Sequence, residues 1–202
     1  MILIGRYLSP FVRRVAATLY YHDLAFEHQP LRAGGDEQDE IRKSNPLGRV
    51  PVLVLDDGKV LADSAVIVDY LDELVGPDKA LSPTEGWGRY EFNSLLSIAT
   101  GACEKAIFNY MEVRNRPEEK VHKPAMDNAA RQARDGFEYI SHLGDGQWLY
   151  GDTMTQLDVS TACYWAFVTD ATPEISEGAD CQRLDQLVAQ LSDQPWFSKS
   201  AS

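Results

Sequence analysis

The sequence predicts a small α/β domain followed by an all-helical domain. Over residues 1–76, short apolar strands alternate with amphipathic helices, whereas beyond residue 86 every strong apolar period is helical. Between them, VGPDKALSPTEG at 75–86 carries two prolines, two glycines and no apolar period, which is typical of a linker. The predicted organisation is therefore an α/β domain over 1–76, a linker over 77–86 and an all-helical domain over 87–202.

The α/β domain begins with the pattern of a parallel crossover. MILIG at the start can form a strand, and AFEHQPL at 25–31 can form a second. The segment between them has apolar residues at i, i+3, i+4 and i+7, which predicts a helix. These residues are Val12, Val15, Ala16 and Leu19.

The domain ends with the pattern of a hairpin and a helix. DEQDEIRKSN at 36–45 is a weak, polar helix or turn. VPVLVLDDGKVLAD at 50–63 then places the turn pair Asp57-Gly58 between two apolar runs. Ile67, Tyr70, Leu71 and Leu74 repeat the helical spacing, so the predicted order is β-α-β-α-β-β-α.

The second domain reads as a helical bundle, because four segments each place apolar residues on one face. These faces comprise Phe92, Leu95, Leu96 and Ala99; Met126, Ala130, Ala133, Phe137 and Ile140; Val159, Ala162, Cys163 and Ala166; and Leu184, Leu187, Val188 and Leu191.

Composition excludes several classes of protein. A net charge of −12 makes nucleic acid an unfavourable partner, since phosphate binding needs a basic field. The start lacks the pattern of a signal peptide, and no run approaches 18 apolar residues, so we expect no membrane association and a cytoplasmic location.

Cys103, Cys163 and Cys181 lie far apart outside any metal-binding spacing. We therefore expect no metal, and reduced, buried thiols at Cys103 and Cys163.

The first candidate functional residue is Ser9, which precedes Pro10 at the start of the first helix. Ser followed by Pro is a favoured helix start, so Ser9 is predicted to be an N-cap. The same position suits an anion, and a hydroxyl there can donate to a thiolate and lower the pKa of a bound thiol. Arg13, one turn further on, could add positive charge. The cap and the catalytic hydroxyl are compatible interpretations.

Two further junctions could contact a ligand. Val50-Pro51 precedes a strand, and a cis bond there would leave the Val50 N–H and C=O to pair with an extended peptide. Asp63-Ser64 opens the third helix, where an N-cap is the simplest interpretation. Alternatively, Ser64 could hold a carboxylate while Asp63 pairs with an ammonium group. One ligand with a thiol, a peptide backbone and an amino-acid end would satisfy all three junctions.

In the helical half, MTQLD at 154–158 is a folding signal. Thr155 and Asp158 have the spacing of a capping box, and Met154 with Val159 could form a hydrophobic staple. We therefore assign these residues to stability rather than chemistry.

Three stretches together resemble the glutathione S-transferase family over nearly the whole chain. They are YLSPFVRRV, NPLGRVPVLVLDDGKVLADSAVIVDYL and WLYGDTMTQLDVS, in the order and roughly the spacing of the family. The pattern is closest to bacterial, serine-type members with an SPFVR start. The resemblance implies a thioredoxin-like N-terminal domain, a helical-bundle C-terminal domain, a homodimer, a cis Pro51 and glutathione as co-substrate.

The resemblance also implies residue roles. Ser9 would contact the glutathione sulfur, Val50 the cysteinyl backbone, Asp63 and Ser64 the γ-glutamyl end, and Arg49 the glycine carboxylate. The function it implies is transfer of the glutathione thiolate to a small electrophile, of an apolar or aromatic kind.

Several alternatives remain open at this stage. Tyr7 is a rival hydroxyl for the sulfur, because some classes of the family use a Tyr near this strand end. GGDEQDE at 34–40 is acidic where relatives often carry a basic or amide residue, and Gln38 could substitute there. Isomerase, dehalogenase or peroxidase activity would use the same thiolate. A non-catalytic protein-binding module would keep the fold without needing the ligand contacts.

Overall fold

The computed structural model describes residues 1–201, and its N-terminal part contains a four-stranded mixed sheet. The strands are β1 (Ile2–Ile4), β2 (Glu27–Gln29), β3 (Val52–Val54) and β4 (Val60–Ala62). In the order β2-β1-β3-β4, β1 pairs parallel with β2 and antiparallel with β3, and β3 pairs antiparallel with β4. This confirms the predicted crossover followed by a hairpin.

Three helices belong to this sheet: α1 (Pro10–Tyr21), α2 (Gln38–Arg42) and α3 (Ser64–Val75). Successive strand residues point to opposite faces, so the paired Leu3 and Leu53 pack with α1 and α3. The paired Ile4 and Val52 pack with Ile41 of α2 on the other face. The result is the thioredoxin-like arrangement that was expected, a sheet between two helical layers.

The remaining elements are helical: α4 (Gly86–Asn115), α5 (Lys123–Ser141), α6 (Gln156–Ala171), α7 (Pro173–Ser176), α8 (Gln182–Ser192) and α9 (Pro195–Ser198). Each predicted apolar face lies on one of the four longer helices α4, α5, α6 and α8. The predicted capping pair also forms, because the Asp158 carboxylate accepts the Thr155 N–H and hydroxyl, each at 2.8 Å. Asp158 additionally accepts the Leu149 N–H, so a fully buried carboxylate holds the start of α6 through its hydrogen bonds.

The chain forms two compact units, the first of which is built from two separate segments of the sequence. The first comprises Met1–Thr84 together with the chain from Leu191 onward, and the second comprises Glu85–Gln190. The predicted helical domain over 87–202 included this C-terminal segment. The segment instead packs on α1, where Trp196 meets the ring of Tyr21 edge-on at 5.1 Å and Arg13 lies over the ring of Phe197 at 4.8 Å.

Cys103 and Cys163 are buried free thiols, as expected, and Cys181 is a third buried free thiol. Within residues 1–201, no helix is both long and apolar enough to cross a membrane.

Candidate functional site

The sheet register brings the candidate residues to one edge. Ile4 pairs with Val52, which in turn pairs with Ala62, so the end of β1, the start of β3 and the end of β4 are level. The segments attached there are 5–9, 49–51 and 63–64. They contain Ser9, Arg49, Val50, Asp63 and Ser64, and we call this edge, with these segments, the site edge. Residues far apart in sequence are therefore assembled by three strands of three residues each.

Ser9 is the N-cap of α1, with Pro10 in the first turn. Its Oγ accepts the Val12 N–H at 3.4 Å, which leaves the hydroxyl proton available to donate outward. Ser9 is half-buried, and the first turn of α1 carries no acidic residue to offset the partial positive charge of the helix start. A hydroxyl donor at a helix N-terminus suits a thiolate.

Tyr7, the rival hydroxyl, is engaged elsewhere. Its ring stacks on His28 with centroids 4.0 Å apart and planes within 4°. Its hydroxyl shares a hydrogen bond of 3.1 Å with Tyr20 on α1. The pKa of Tyr7 is raised well above its usual range, mainly by burial and secondly by this hydrogen bond. Tyr7 is therefore held neutral in a contact with α1.

Val50 lies against Gly5, the residue that follows β1. Gly5 has a φ of +130°, and a Cβ at this position would lie 2.8 Å from Val50 Cβ and 2.5 Å from Val12 Cγ2. Only glycine allows these groups to approach so closely. The Val50-Pro51 peptide is cis, as the resemblance implied. Within the described residues, the loop and turn hydrogen bonds between backbone groups do not use the Val50 N–H or C=O.

A buried asparagine holds the loop that leads to Val50. Asn45 Nδ2 donates to the Arg49 carbonyl at 2.9 Å, and its Oδ1 accepts the Leu47 N–H at 3.1 Å. Asn45 is only 6% exposed, so these bonds replace water for its amide. The sequence interpretation missed this residue. The Asn-Pro pair is a turn signal that could have identified it. Arg49 itself is exposed.

Asp63 caps α3, since its Oδ1 accepts the Ala65 N–H at 2.8 Å. Asp63 adopts a φ of +77° and is exposed, whereas Ser64 is 5% exposed. The cap leaves Asp63 with a second carboxylate oxygen facing water, where it can meet an ammonium group. The predicted N-cap is therefore present, and it is compatible with the predicted ligand contact.

The two arginines of α1 have different environments. Arg13, the candidate from the sequence, lies over Phe197 in the C-terminal segment. Arg14, which the sequence interpretation passed over, is 1% exposed and donates from Nη2 to Ser64 Oγ at 2.8 Å. The helical spacing gave no signal for Arg14, because this position lies opposite the face formed by Val12, Val15, Ala16 and Leu19; its burial became visible only in the structure.

The acidic loop at 34–40 is largely paired with nearby cations. Glu37 accepts from Arg6 Nη2 at 3.0 Å and from the Arg32 N–H at 2.7 Å. The next two acids lie in α2 and pair with cations at its end: Asp39 pairs with Arg42 at 2.7 Å, and Glu40 pairs with Lys43, the C-cap. These exposed pairs are individually weak, but they offset the negative charge that the composition of the loop suggested.

Gln38 lies against the loop that carries Arg49 and Val50. A Cβ at Gly48 would be 2.8 Å from Gln38 Cγ. The amide residue that could substitute in this acidic segment is therefore next to the site edge. Within residues 1–201, no group of three or more His, Cys, Asp or Glu side chains is placed to hold a metal ion.

These features define a thioredoxin-like domain with two helix starts and an extended backbone gathered at one sheet edge. Residues 3–79 match the family described as "Glutathione S-transferase, N-terminal domain". Glutathione S-transferase 1 of Dianthus caryophyllus is 31% identical over 164 residues, which cover 77% of this chain and 71% of that protein. The chain belongs to the glutathione S-transferase family.

Two further similarities extend over nearly the whole length. The GST-like protein YibF of Escherichia coli is 25% identical over 202 residues, covering 99% of this chain and 98% of that protein. A glutathione S-transferase from Methylobacterium radiotolerans, solved in complex with glutathione sulfonate, superposes with a TM-score of 0.89 at 28% identity. That superposition covers 98% of this chain and 93% of the other. These similarities confirm the two-part fold.

Proposed function

We propose that this protein binds glutathione along the site edge and transfers it, as a thiolate, to a small electrophile of an apolar or aromatic kind. The observation that supports the proposal is the register Ile4–Val52–Ala62, which brings the segments of Ser9, Val50 and Asp63-Ser64 to one edge of the sheet. The bound glutathione sulfonate named for the similar Methylobacterium radiotolerans protein supports the same ligand class here.

Each group is assigned one part of the tripeptide. Ser9 donates its hydroxyl proton to the sulfur, and the Val50 N–H and C=O pair with the cysteinyl backbone. Asp63 takes the γ-glutamyl ammonium, and Ser64 takes its carboxylate. Arg49, exposed at the end of the Asn45 loop, can reach the glycine carboxylate.

The reaction requires little covalent chemistry from the protein. Ser9 and the start of α1 stabilise the thiolate, so the thiol proton leaves to solvent at neutral pH. The sulfur lone pair then forms a bond to the electrophilic carbon, while the displaced electron pair leaves with the leaving group or moves onto an activating group. Isomerisation, dehalogenation and peroxide reduction would begin from the same thiolate. Tyr7 is disfavoured as the sulfur ligand because its hydroxyl is bonded to Tyr20.

Calorimetric titration with reduced glutathione near neutral pH is the first test. A dissociation constant of about 1 mM or tighter is expected. No heat and no thermal shift at several millimolar would contradict the proposal and favour a protein-binding module. No observation on the described residues favours that module at present.

The role of Ser9 is tested by the pH profile of turnover with an aromatic electrophile. If Ser9 lowers the thiol pKa by about two pH units, Ser9→Ala reduces the rate at pH 6.5 by about 50-fold and displaces the profile to higher pH. Tyr7→Phe is the matched control, because it removes a hydroxyl from the same segment and keeps the stacked ring. An unchanged profile in Ser9→Ala would remove this residue from the mechanism.

We also propose that the protein acts as a cytoplasmic homodimer. The first unit exposes apolar side chains on β4 and α3 that a second copy would cover, namely Val60, Val66 and Leu74. Light scattering is expected to give about 45 kDa, twice the chain mass of 22.6 kDa. A mass of one chain at micromolar concentration would contradict the dimer.

A further inference from the structure

The parallel ladder between β1 and β2 ends at Gly5. The register pairs Ile4 with Gln29, so Gly5 would next pair with Pro30. Gly5 still donates its N–H to the Gln29 carbonyl at 2.9 Å, as a ladder residue does. In a continued ladder its carbonyl would accept the Leu31 N–H, but that N–H turns back to the Gln29 carbonyl at 2.8 Å. The Gly5 carbonyl is therefore left without a backbone donor.

A side chain of β2 supplies the missing donor. His28 Nε2 lies 2.7 Å from the Gly5 carbonyl oxygen, and because a carbonyl can only accept, this ring nitrogen carries the proton. Gly5 is buried, so an unpaired carbonyl at this position would cost free energy. The imidazole of His28 thus takes the place of a backbone N–H at the end of the ladder.

The same imidazole contacts the 5–9 segment a second time. The ring of Tyr7 lies flat on the ring of His28, with centroids 4.0 Å apart and planes within 4°. The hydrogen bond is made in the plane of the imidazole and the stack is made on its face, so the two contacts restrain different directions of movement. His28 therefore holds both the beginning and the middle of the segment that leads to Ser9.

The glycine at position 5 makes this restraint necessary. Gly5 has a φ of +130° and no side chain to limit the rotation of the peptide plane that follows it. The direction of its carbonyl is therefore set by the hydrogen bond. The same plane carries the Arg6 N–H, and the Arg6 carbonyl accepts the Ser9 N–H at 3.0 Å in the next turn. A rotation of the Gly5 carbonyl would displace this turn, and Ser9 with it.

We infer that His28 is a positioning residue for the Ser9 hydroxyl, acting through the Gly5 carbonyl and the turn at 6–9. The inference rests on the proposed function and adds to it the group that aims the sulfur donor. His28 transfers no proton in this role, because it fixes only the direction in which Ser9 donates. A hydrogen bond weakens steeply when its donor is misaligned, so a small displacement of Ser9 is enough to raise the pKa of the bound thiol.

A purely structural role is the alternative for His28, and the two roles differ in the acidity of the bound thiol. A structural role would lower the free energy of unfolding and leave the pKa of the thiol unchanged in the folded protein. A positioning role raises that pKa. The test therefore follows the thiolate absorbance of bound glutathione against pH in the purified 202-residue protein, together with the pH profile of turnover with an aromatic electrophile.

His28→Met and His28→Gln form the matched pair of variants, because both lose the stacked ring and only Gln keeps an N–H donor. His28→Met is expected to raise the pKa of the bound thiol by about one pH unit and so to lower the rate at pH 6.5 about tenfold. The dissociation constant of glutathione should change less than about threefold, since the groups assigned to its γ-glutamyl end are unaltered. His28→Gln should restore the rate to within about threefold of the unaltered protein.

Two further variants serve as controls. His142→Met makes the same exchange at the end of α5, where the ring Nδ1 also bonds a carbonyl, that of Glu138 at 2.6 Å, and its pH profile should stay in place. In a Ser9→Ala background, His28→Met should cause no further shift of the thiol pKa, because the hydroxyl that His28 positions is already absent.

Three results would each overturn the inference while leaving glutathione binding established. They are an unmoved thiol pKa in His28→Met, equal shifts in His28→Met and His28→Gln, and a further shift on top of Ser9→Ala. Because the absorbance is read per bound glutathione, a loss of stability does not imitate the expected shift. Failure of the unaltered protein to bind glutathione would instead overturn the proposed function, and the inference with it.

Discussion

Gly5→Ala is the substitution for which the structure gives the clearest magnitude. The new Cβ would lie 2.5 Å from Val12 Cγ2 and 2.8 Å from Val50 Cβ, which is closer than carbon atoms can approach. Either α1 or the Val50 segment must move, at a cost of about 1–3 kcal/mol for overpacking. The φ of +130° adds about 1–3 kcal/mol of backbone strain for a residue with a side chain. We expect a loss of about 4 kcal/mol in the free energy of unfolding.

Gly34→Ala is the matched control for this substitution. Gly34 has a similar φ of +144°, but a Cβ there meets nothing within 4 Å. It therefore carries only the backbone part, about 1–3 kcal/mol. Urea unfolding followed by circular dichroism measures both variants, provided that the slopes match that of the unaltered protein.

The two variants should also differ in ligand binding. Gly5→Ala displaces the Val50 backbone and is expected to weaken glutathione binding, whereas Gly34→Ala lies outside the contact and should not. Equal destabilisation by both substitutions would show that backbone conformation alone explains the glycine at position 5. The packing argument for the site edge would then be refuted.

Three other predictions concern the rest of the chain. Asp158→Ala leaves the Leu149 N–H and the Thr155 N–H without their acceptor, so urea titration should show a free energy of unfolding lower by about 3 kcal/mol. A loss below about 1 kcal/mol would contradict the assigned role. Burial and neighbouring acidic groups raise the pKa of Cys181 to about 12, and all three cysteines are buried. An aromatic disulfide reagent at pH 8 should therefore titrate no thiol in the folded protein and three thiols in guanidinium chloride. Burial lowers the pKa of His22, so below pH 6.5 the unfolded chain binds more protons than the folded protein and the free energy of unfolding should fall as the pH drops. Unfolding curves of His22→Gln should show a smaller dependence of this free energy on pH. An unchanged dependence would refute the assignment.

The periodic parts of the fold were predictable because burial imposes them directly on the sequence. Val12, Val15, Ala16 and Leu19 recur at helical spacing because that face is sealed against the sheet, and all four are fully buried. Asp57-Gly58 marks the hairpin for an equally local reason, since a tight turn needs a glycine.

Features that depend on distant partners could not be predicted in this way. The side chains of Arg13 and Arg14 are adjacent in sequence and chemically identical, yet one lies over Phe197 and the other beneath Ser64. Their difference arises from helix rotation against elements 50 or more residues away. Similarly, α7 and α9 span four residues each, too few for an apolar period to be detected.

The return of the C-terminal segment to α1 has a consequence for biosynthesis. Tyr20, Tyr21 and Arg13 of α1 receive ring and cation contacts from residues 196–199, which are synthesised after the whole of the second unit. Because domains otherwise fold as the chain emerges, the sheet and its first helices exist with this surface uncovered until residues 196–199 have left the ribosome. The packing around the first helix is therefore completed only after all of Glu85–Gln190 has been made.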